Sequence, residues 1–448
     1  MISVAKQKIR DRMGFLVVNA GWTLKTAWQT SGPFLVGILC CELFVSATPA
    51  AIAWAGRCLI NAIAQEAGKS SHNFSGILTW LIISLSLVLA SELFGTFSKF
   101  FKRHLNEKLG LKVEMDLLKH SSELDISLFE DPEFQDVAMR AKQNSADNIT
   151  GFLNKVILLG SNICKIAGLV AILFIIDPLI VLVITPLVVP FVFFKWSQAK
   201  RRFNKEYTRA TKRRWTNYYS SLLTDRNMVS EVKLFNLAPG LIEKFRQLKL
   251  KFIREDKQIY QREFIGTFVF STLFAILFYF LFARIAIHVM DGSLTIGDIT
   301  IFAGATKELF NLLSALATQV SDIMEGMLFV ENLMVFFRTS PRIVNRGSRT
   351  ILNGRGEFEF RNVWFKYPGS ESYALKDISF RLSPGKSVAI IGRNGAGKST
   401  IVKLMARFYE PDRGEILLDS TNINQLPMEE IHKQIAFVFQ NPNRYEAT

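Results

Sequence analysis

The 448 residues leave room for two or three domains, and 49% of them are hydrophobic. That apolar content is gathered into blocks of about 20 residues, the helical length that crosses a hydrocarbon core, which excludes a single soluble globule. The formal charge of +15 raises nucleic-acid binding, but the basic residues fall between the apolar blocks rather than on one face, as cytoplasmic loops do; nucleic acid is set aside.

Residues 1–32 are polar and mixed, with Lys6, Lys8, Arg10, Arg12 and Lys25, and do not read as a cleavable signal. Apolar blocks follow at about Phe34–Trp54 and Ile77–Phe97. A third, about Val156–Ile176, turns at Asp177-Pro178 into a fourth at Leu179–Phe194, whose Pro186 and Pro190 neighbouring helices can accommodate. The fifth is Phe264–Ile287. A sixth, about Ile299–Met324, is weakened by Lys307, Glu308 and Asp322; it counts as a span because a cytoplasmic N-terminus and a cytoplasmic nucleotide site require an even number. The loop Asp291–Asp298 has no Lys or Arg and reads as outside. The segments Ser98–Gly151 and Lys195–Arg262, the latter with Arg201, Arg202, Lys212, Arg213 and Arg214, read as helical and inside.

Glu42, Glu92, Lys165, Arg284, Lys307 and Glu308 are costly in lipid and should face a cavity or a partner, unless they mark span ends displaced by a turn, the reading favoured for Arg284. Cys40, Cys41, Cys58 and Cys164 lie in or beside apolar blocks without metal spacing and read as small core residues.

From Gly356 the period changes. Residues 357–367 (EFEFRNVWFKY) alternate like a strand, 373–382 (YALKDISFRL) give another, and the turn Ser383-Pro384-Gly385 leads into an apolar run, SVAII, read as a buried strand. Gly392-Arg393-Asn394-Gly395-Ala396-Gly397-Lys398-Ser399 then fits G-x-x-x-x-G-K-[ST], with a helical pattern over Ser399–Phe408. Glycines there let backbone N–H groups close on phosphate oxygens, the lysine reaches the β- and γ-phosphates, and the serine hydroxyl ligates Mg²⁺. The following helix adds the positive end of its dipole. The nucleotide set is therefore Gly392, Arg393, Asn394, Gly395, Gly397, Lys398, Ser399 and Thr400, binding a mononucleotide with Mg²⁺.

A phosphate loop does not choose among kinases, GTPases and transport ATPases, but its surroundings do. VWFKYPG before it, GRNGAGKST, PDRGEILLD after it and IAFVFQ beyond resemble the nucleotide-binding domain of ABC transporters. The membrane half resembles the exporter type of that family, so the likeness covers essentially the whole chain. It implies that Tyr367 stacks on adenine, and that Gln440 is the Q-loop residue approaching Mg²⁺ and the membrane helices. It also implies short transverse coupling helices at Leu124–Asp136 and Met228–Gly240, and a dimer with a second half-transporter, identical or different.

The expected fold is thus an α-helical six-span membrane domain followed by an incomplete α/β P-loop nucleotide-binding domain. Its parts are an N-terminal cytoplasmic segment (1–32), a transmembrane domain (33–325), a linker (326–355) and a partial nucleotide-binding domain (356–448), multi-pass in the cell membrane among lipid, with both termini cytoplasmic. Thr448 stands eight residues past Gln440, before the place where the family carries its signature motif, Walker B acids and switch histidine. The sequence is a fragment, or the product is a truncated, non-transporting subunit with weak or no ATP binding. A membrane-anchored P-loop kinase is a further alternative, disfavoured by the long basic segments between spans. The cargo is not legible in the sequence.

Overall fold

The computed structural model describes residues 2–67, 74–142, 144–341, 343 and 354–438. It divides into two compact units: residues 1–113 with 144–331, and residues 114–143 with 332–448.

The first unit is all helix. α1 (Ile2–Ala67) is interrupted at Ser31, whose backbone is extended (φ −162°, ψ 82°). Pro33 explains the break, since its ring clashes with the turn before it and it has no N–H to give. The other helices of this unit are the first part of α2 (Ser75–Glu123), α5 (Ser145–Ile176), α6 (Pro178–Thr224), α7 (Arg226–Leu234), α8 (Ala238–Met290) and most of α9 (Ile296–Arg338). Asp177 ends α5 and caps α6, accepting from the Leu179 N–H at 2.9 Å, with Pro178 in the first turn where a missing donor costs nothing. Its other oxygen pairs with Arg284 of α8 at 3.3 Å.

α5, α6, α8 and α9 share one apolar core, in which Leu173, Ile180, Leu281, Ile285 and Phe302 are fully or almost fully buried. The outward faces are apolar as well: Leu89, Phe193, Phe264 and Phe280 are more than half exposed. A surface of that kind suits lipid rather than water. α1, α2, α5, α6 and α8 are each long and apolar enough to cross a membrane. α9, the expected sixth span, is a helix but has no comparably apolar stretch, because Lys307, Glu308 and Asp322 divide it.

Polar groups within the helices are handled unevenly. Glu42 accepts from Lys102 at 2.6 Å and Ser98 at 2.7 Å, joining α1 to α2. Glu92, Lys307 and Glu308 are exposed. The cysteine reading holds only for Cys41; Cys40 and Cys164 are exposed on helix surfaces and Cys58 is half-buried. In the first turn of α9, Asp298 is buried against Arg57 at 2.6 Å, and Asn61 accepts from the Gly297 N–H at 2.9 Å. Gly297 has no room for a side chain, since a Cβ would stand 2.5 Å from the Arg57 carbonyl oxygen.

The second unit holds α3 (Ile126–Phe129), α4 (Pro132–Lys142) and a sheet. β1 (Phe358–Phe365) lies between β2 (Leu375–Leu382) and β3 (Arg413–Leu418), with β4 (Thr421–Asn422) at the edge, all antiparallel. α10 (Lys398–Met405) and α11 (Met428–Lys433) complete it. Phe358, Phe360, Val363 and Phe365 of β1 alternate inward onto Ile401, Leu404 and Ile416. The linker expected at 326–355 is helical as far as Arg338, because nothing stops α9 before Pro341, and residues 344–353 lie outside the described residues.

The buried strand expected at SVAII does not form; residues 386–391 have no regular structure, and Val388, Ile390 and Ile391 are 54%, 42% and 92% exposed. A central strand takes its hydrogen bonds and its cover from neighbours on both sides. Among the described residues none pairs with it, so the α/β expectation is met here by the antiparallel sheet and the phosphate-loop helix alone. The run at IAFVF is likewise irregular as far as Val438.

Candidate nucleotide-binding site

The loop at 392–397 is built on two glycines in the left-handed region, Gly395 (φ 81°) and Gly397 (φ 86°). At Gly397 a Cβ would also meet the Leu375 side chain at 2.6 Å and the Ala374 carbonyl oxygen at 2.7 Å. The cradle therefore exists only with glycine there. The Ala396 N–H closes a turn on the Arg393 carbonyl at 3.1 Å, and α10 begins immediately, with the Thr400 and Ile401 N–H groups reaching the Gly397 carbonyl at 3.0 and 3.1 Å.

Lys398 folds back over this loop, its Nζ donating to the carbonyls of Gly392 at 2.6 Å and Arg393 at 2.9 Å. Gly392, Arg393, Asn394 and Gly395 are exposed, as is Ser399. An anion meeting the loop would find a cation, the free N–H groups of a helix start and an accessible hydroxyl together. No group of three or more His, Cys, Asp or Glu able to hold a metal occurs among the described residues. A magnesium ion would accordingly arrive on the phosphates and take Ser399 as a protein oxygen, which fits its habit of keeping phosphate and water ligands.

Thr400 is turned the other way. It is 4% exposed, and its hydroxyl meets that of Tyr367 at 3.0 Å. Tyr367 sits beyond the end of β1, edge-on to Phe365 and Tyr409 at centroid distances of 5.1 and 5.3 Å. The phosphate loop and the aromatic read as the adenine platform are thus joined directly. Gln440 lies outside the described residues.

Two features of this unit had no signal in the sequence. Glu130, just after α3, pairs with Lys403 of α10 at 2.7 Å and accepts from the Tyr409 hydroxyl. Partial burial opposes ionisation of Glu130, but the hydrogen bonds from Lys403 and Tyr409, and the Lys403 charge, outweigh it and hold the carboxyl below its ordinary value. Asp125, before α3, accepts from the Ile343 N–H at 2.9 Å. The element expected as the first coupling helix is therefore α3 with α4, folded into the same unit as the phosphate loop. The second expectation, Met228–Gly240, is α7 and the start of α8.

Long apolar helices and a phosphate-loop unit in one chain define a membrane protein that takes a nucleotide. Residues 35–316 match the ABC transporter transmembrane region and residues 375–448 match the ABC transporter domain. The chain belongs to the ABC transporter family, and it is a multi-pass, ATP-binding membrane protein of the exporter type. It is 26% identical to the subtilin transport ATP-binding protein SpaT of Bacillus subtilis, over 83% of this chain and 61% of that protein. It is 26% identical to the nisin transport ATP-binding protein NisT of Lactococcus lactis subsp. lactis (95% and 70%) and 25% identical to the ATP-dependent lipid A-core flippase of Escherichia coli K12 (95% and 72%). The chain thus spans about three-fifths to seven-tenths of the length of these relatives. Its fold is similar to that of a bacterial Atm1-family ABC exporter with ATP bound, at a TM-score of 0.69 and 18% identity, over 89% of this chain and 69% of that one.

Proposed function

We propose that the chain is one half of a dimeric exporter that uses ATP and Mg²⁺ to move an amphipathic or hydrophobic cargo across the membrane. The observation that carries this reading is the placement of residues 114–143, which lie between two apolar helices in sequence, in one compact unit with the phosphate loop. Through Glu130 a membrane-domain connection touches α10, the helix that Lys398 and Ser399 begin. The exposed Leu234, Phe235 and Leu237 at and just after the end of α7 support a second half-transporter as partner, since a water-filled setting would leave three neighbouring apolar side chains uncovered. The relatives named for subtilin transport, nisin transport and lipid A-core flipping support this reading. Membership of the family sets the kinase alternative aside.

The functional test uses inside-out vesicles from cells expressing the gene in full, with a fluorescent amphipathic peptide and a fluorescent phospholipid as probes. ATP-dependent uptake of one of them, abolished in Lys398→Ala, is the expected result. Uptake that ignores ATP or the substitution overturns the reading.

The proposal includes six spans with both termini inside, α9 being the sixth. Ser293, in the outer loop, and Ser220, near the end of α6, are both exposed. Cysteines introduced there in a background lacking Cys40, Cys41, Cys58 and Cys164 should react with a membrane-impermeant maleimide from opposite sides. Reaction of both from outside would rule the topology out.

A second reading concerns a polypeptide of these 448 residues by itself, and the exposure of Val388, Ile390 and Ile391 favours it. Phosphoryl transfer needs charge stabilisation and a group that orients the attacking water. Among the described residues the phosphate loop supplies only the first, so this polypeptide is expected to bind ATP weakly and hydrolyse none. Phosphate release in lipid should match that of its Lys398→Ala variant; turnover clearly above it would refute this reading.

A further inference from the structure

A closed cycle of contacts surrounds Tyr367. Its hydroxyl meets that of Thr400 at 3.0 Å. One turn further along α10, Lys403 places its Nζ 5.4 Å from the centroid of the Tyr367 ring and 5.7 Å from that of Tyr409. The same ammonium bonds Glu130 at 2.7 Å, and the other oxygen of Glu130 takes the Tyr409 hydroxyl. Tyr409 returns to Tyr367 edge-on, with an interplanar angle of 85°. Tyr409 is 4% exposed, so this corner of the cycle is fixed by the core.

The cycle does little for stability in itself. Lys403 and Glu130 are 31% and 42% exposed, and ion pairs so open to water contribute little. Its effect is on position: a ring held at its hydroxyl, at its edge and by a cation has lost its rotamer freedom before a ligand arrives. Base stacking depends on such a platform, since the gain from stacking is reduced by whatever ordering it still requires.

We propose that Lys403 is a positioning residue for the nucleotide base: anchored by Glu130, it holds Tyr367 in the orientation that receives adenine and has no part in binding the phosphates. Glu130 acts only through Lys403. This rests on the ATP-binding reading above and adds a base-specific determinant fed from the segment after α3.

The experiment is equilibrium binding of ATP, and separately of inorganic tripolyphosphate, to the purified full chain in lipid nanodiscs. Lys403→Met keeps the aliphatic stem and removes the charge. It should weaken ATP about two- to fivefold, the share of a partly exposed cation–π contact. Glu130→Gln should weaken ATP in the same direction by less. The double variant Glu130→Gln/Lys403→Met is neutral overall at this position, like the wild-type pair, and separates position from long-range charge. It should bind ATP as weakly as Lys403→Met while binding tripolyphosphate like wild type.

Restoration of ATP affinity in the double variant would show that Lys403 acts as a distant charge, and would overturn the inference. Loss of ATP and tripolyphosphate binding together in that variant would mark a structural role and overturn it too. Unchanged ATP affinity in Lys403→Met would overturn it alone. A wild-type chain that binds neither probe would overturn the ATP reading and the inference with it.

Discussion

Lys398→Ala is expected to weaken ATP binding by about 2–3 kcal/mol, close to a hundredfold, and to leave the fold intact. The two halves of that expectation have separate causes. A charge-assisted hydrogen bond to a phosphate contributes about 1.5–3 kcal/mol, and Lys398 is the cation that already spans the loop's mouth. Its present acceptors, the carbonyls of Gly392 and Arg393, belong to exposed residues that water can satisfy once the side chain is gone. Gly397→Ala is the useful contrast. There the loop itself is lost, because the new methyl would collide with Leu375 and the Ala374 carbonyl in a left-handed backbone. Titration calorimetry with ATP, paired with a thermal melt, distinguishes the two. A Lys398→Ala chain that keeps wild-type affinity would remove the phosphate loop from the mechanism.

Much of this arrangement was legible in the sequence because it is local. Apolar blocks give helices through side-chain burial alone, and the phosphate loop is a run of eight residues whose glycines state their own backbone requirement. What was illegible depends on residues far apart or on neighbours the segment cannot supply. Glu130 and Lys403 are separated by 273 positions, and neither is unusual in its own stretch of chain. SVAII reads as a strand by composition, yet strand propensity reports a fit to neighbouring strands, and no described strand lies beside it. A resemblance marks Tyr367, whereas its bond to Thr400 and its packing on Tyr409 come from the chain returning through β2 and α10. Charge density marks the basic segment after the fourth apolar block but does not distinguish its other arginines from the one that is buried.

That one is Arg209, and Arg209→Ala is expected to destabilise the membrane unit by about 2–3 kcal/mol. Arg209 is 4% exposed and holds three groups of α8 from its place on α6: Glu255 at 2.9 Å, Asp256 at 2.6 Å and the Phe252 carbonyl at 3.1 Å. Its guanidinium also lies over the Phe252 ring at 5.3 Å. Removing one partner of a fully buried ion pair costs about 3–5 kcal/mol, mostly through the charge left behind. Here the abandoned carboxylates are 31% and 36% exposed and can be rehydrated in part, which lowers the figure. Arg201, exposed on the same helix, should cost less than about 0.5 kcal/mol when truncated. The consequence reaches beyond stability. From Arg209 to the end of α6 is fifteen residues, about 22 Å of helix, and α7 is carried at the far end between α6 and α8. Without the clamp the two helices should separate along that arm. Limited trypsin digestion in membranes reads this directly: the Arg209→Ala chain should be cut within 205–257 at low protease, while Arg201→Ala should resist like wild type. Equal resistance of the two variants would mean that packing between α6 and α8 holds the arm without the ion pairs.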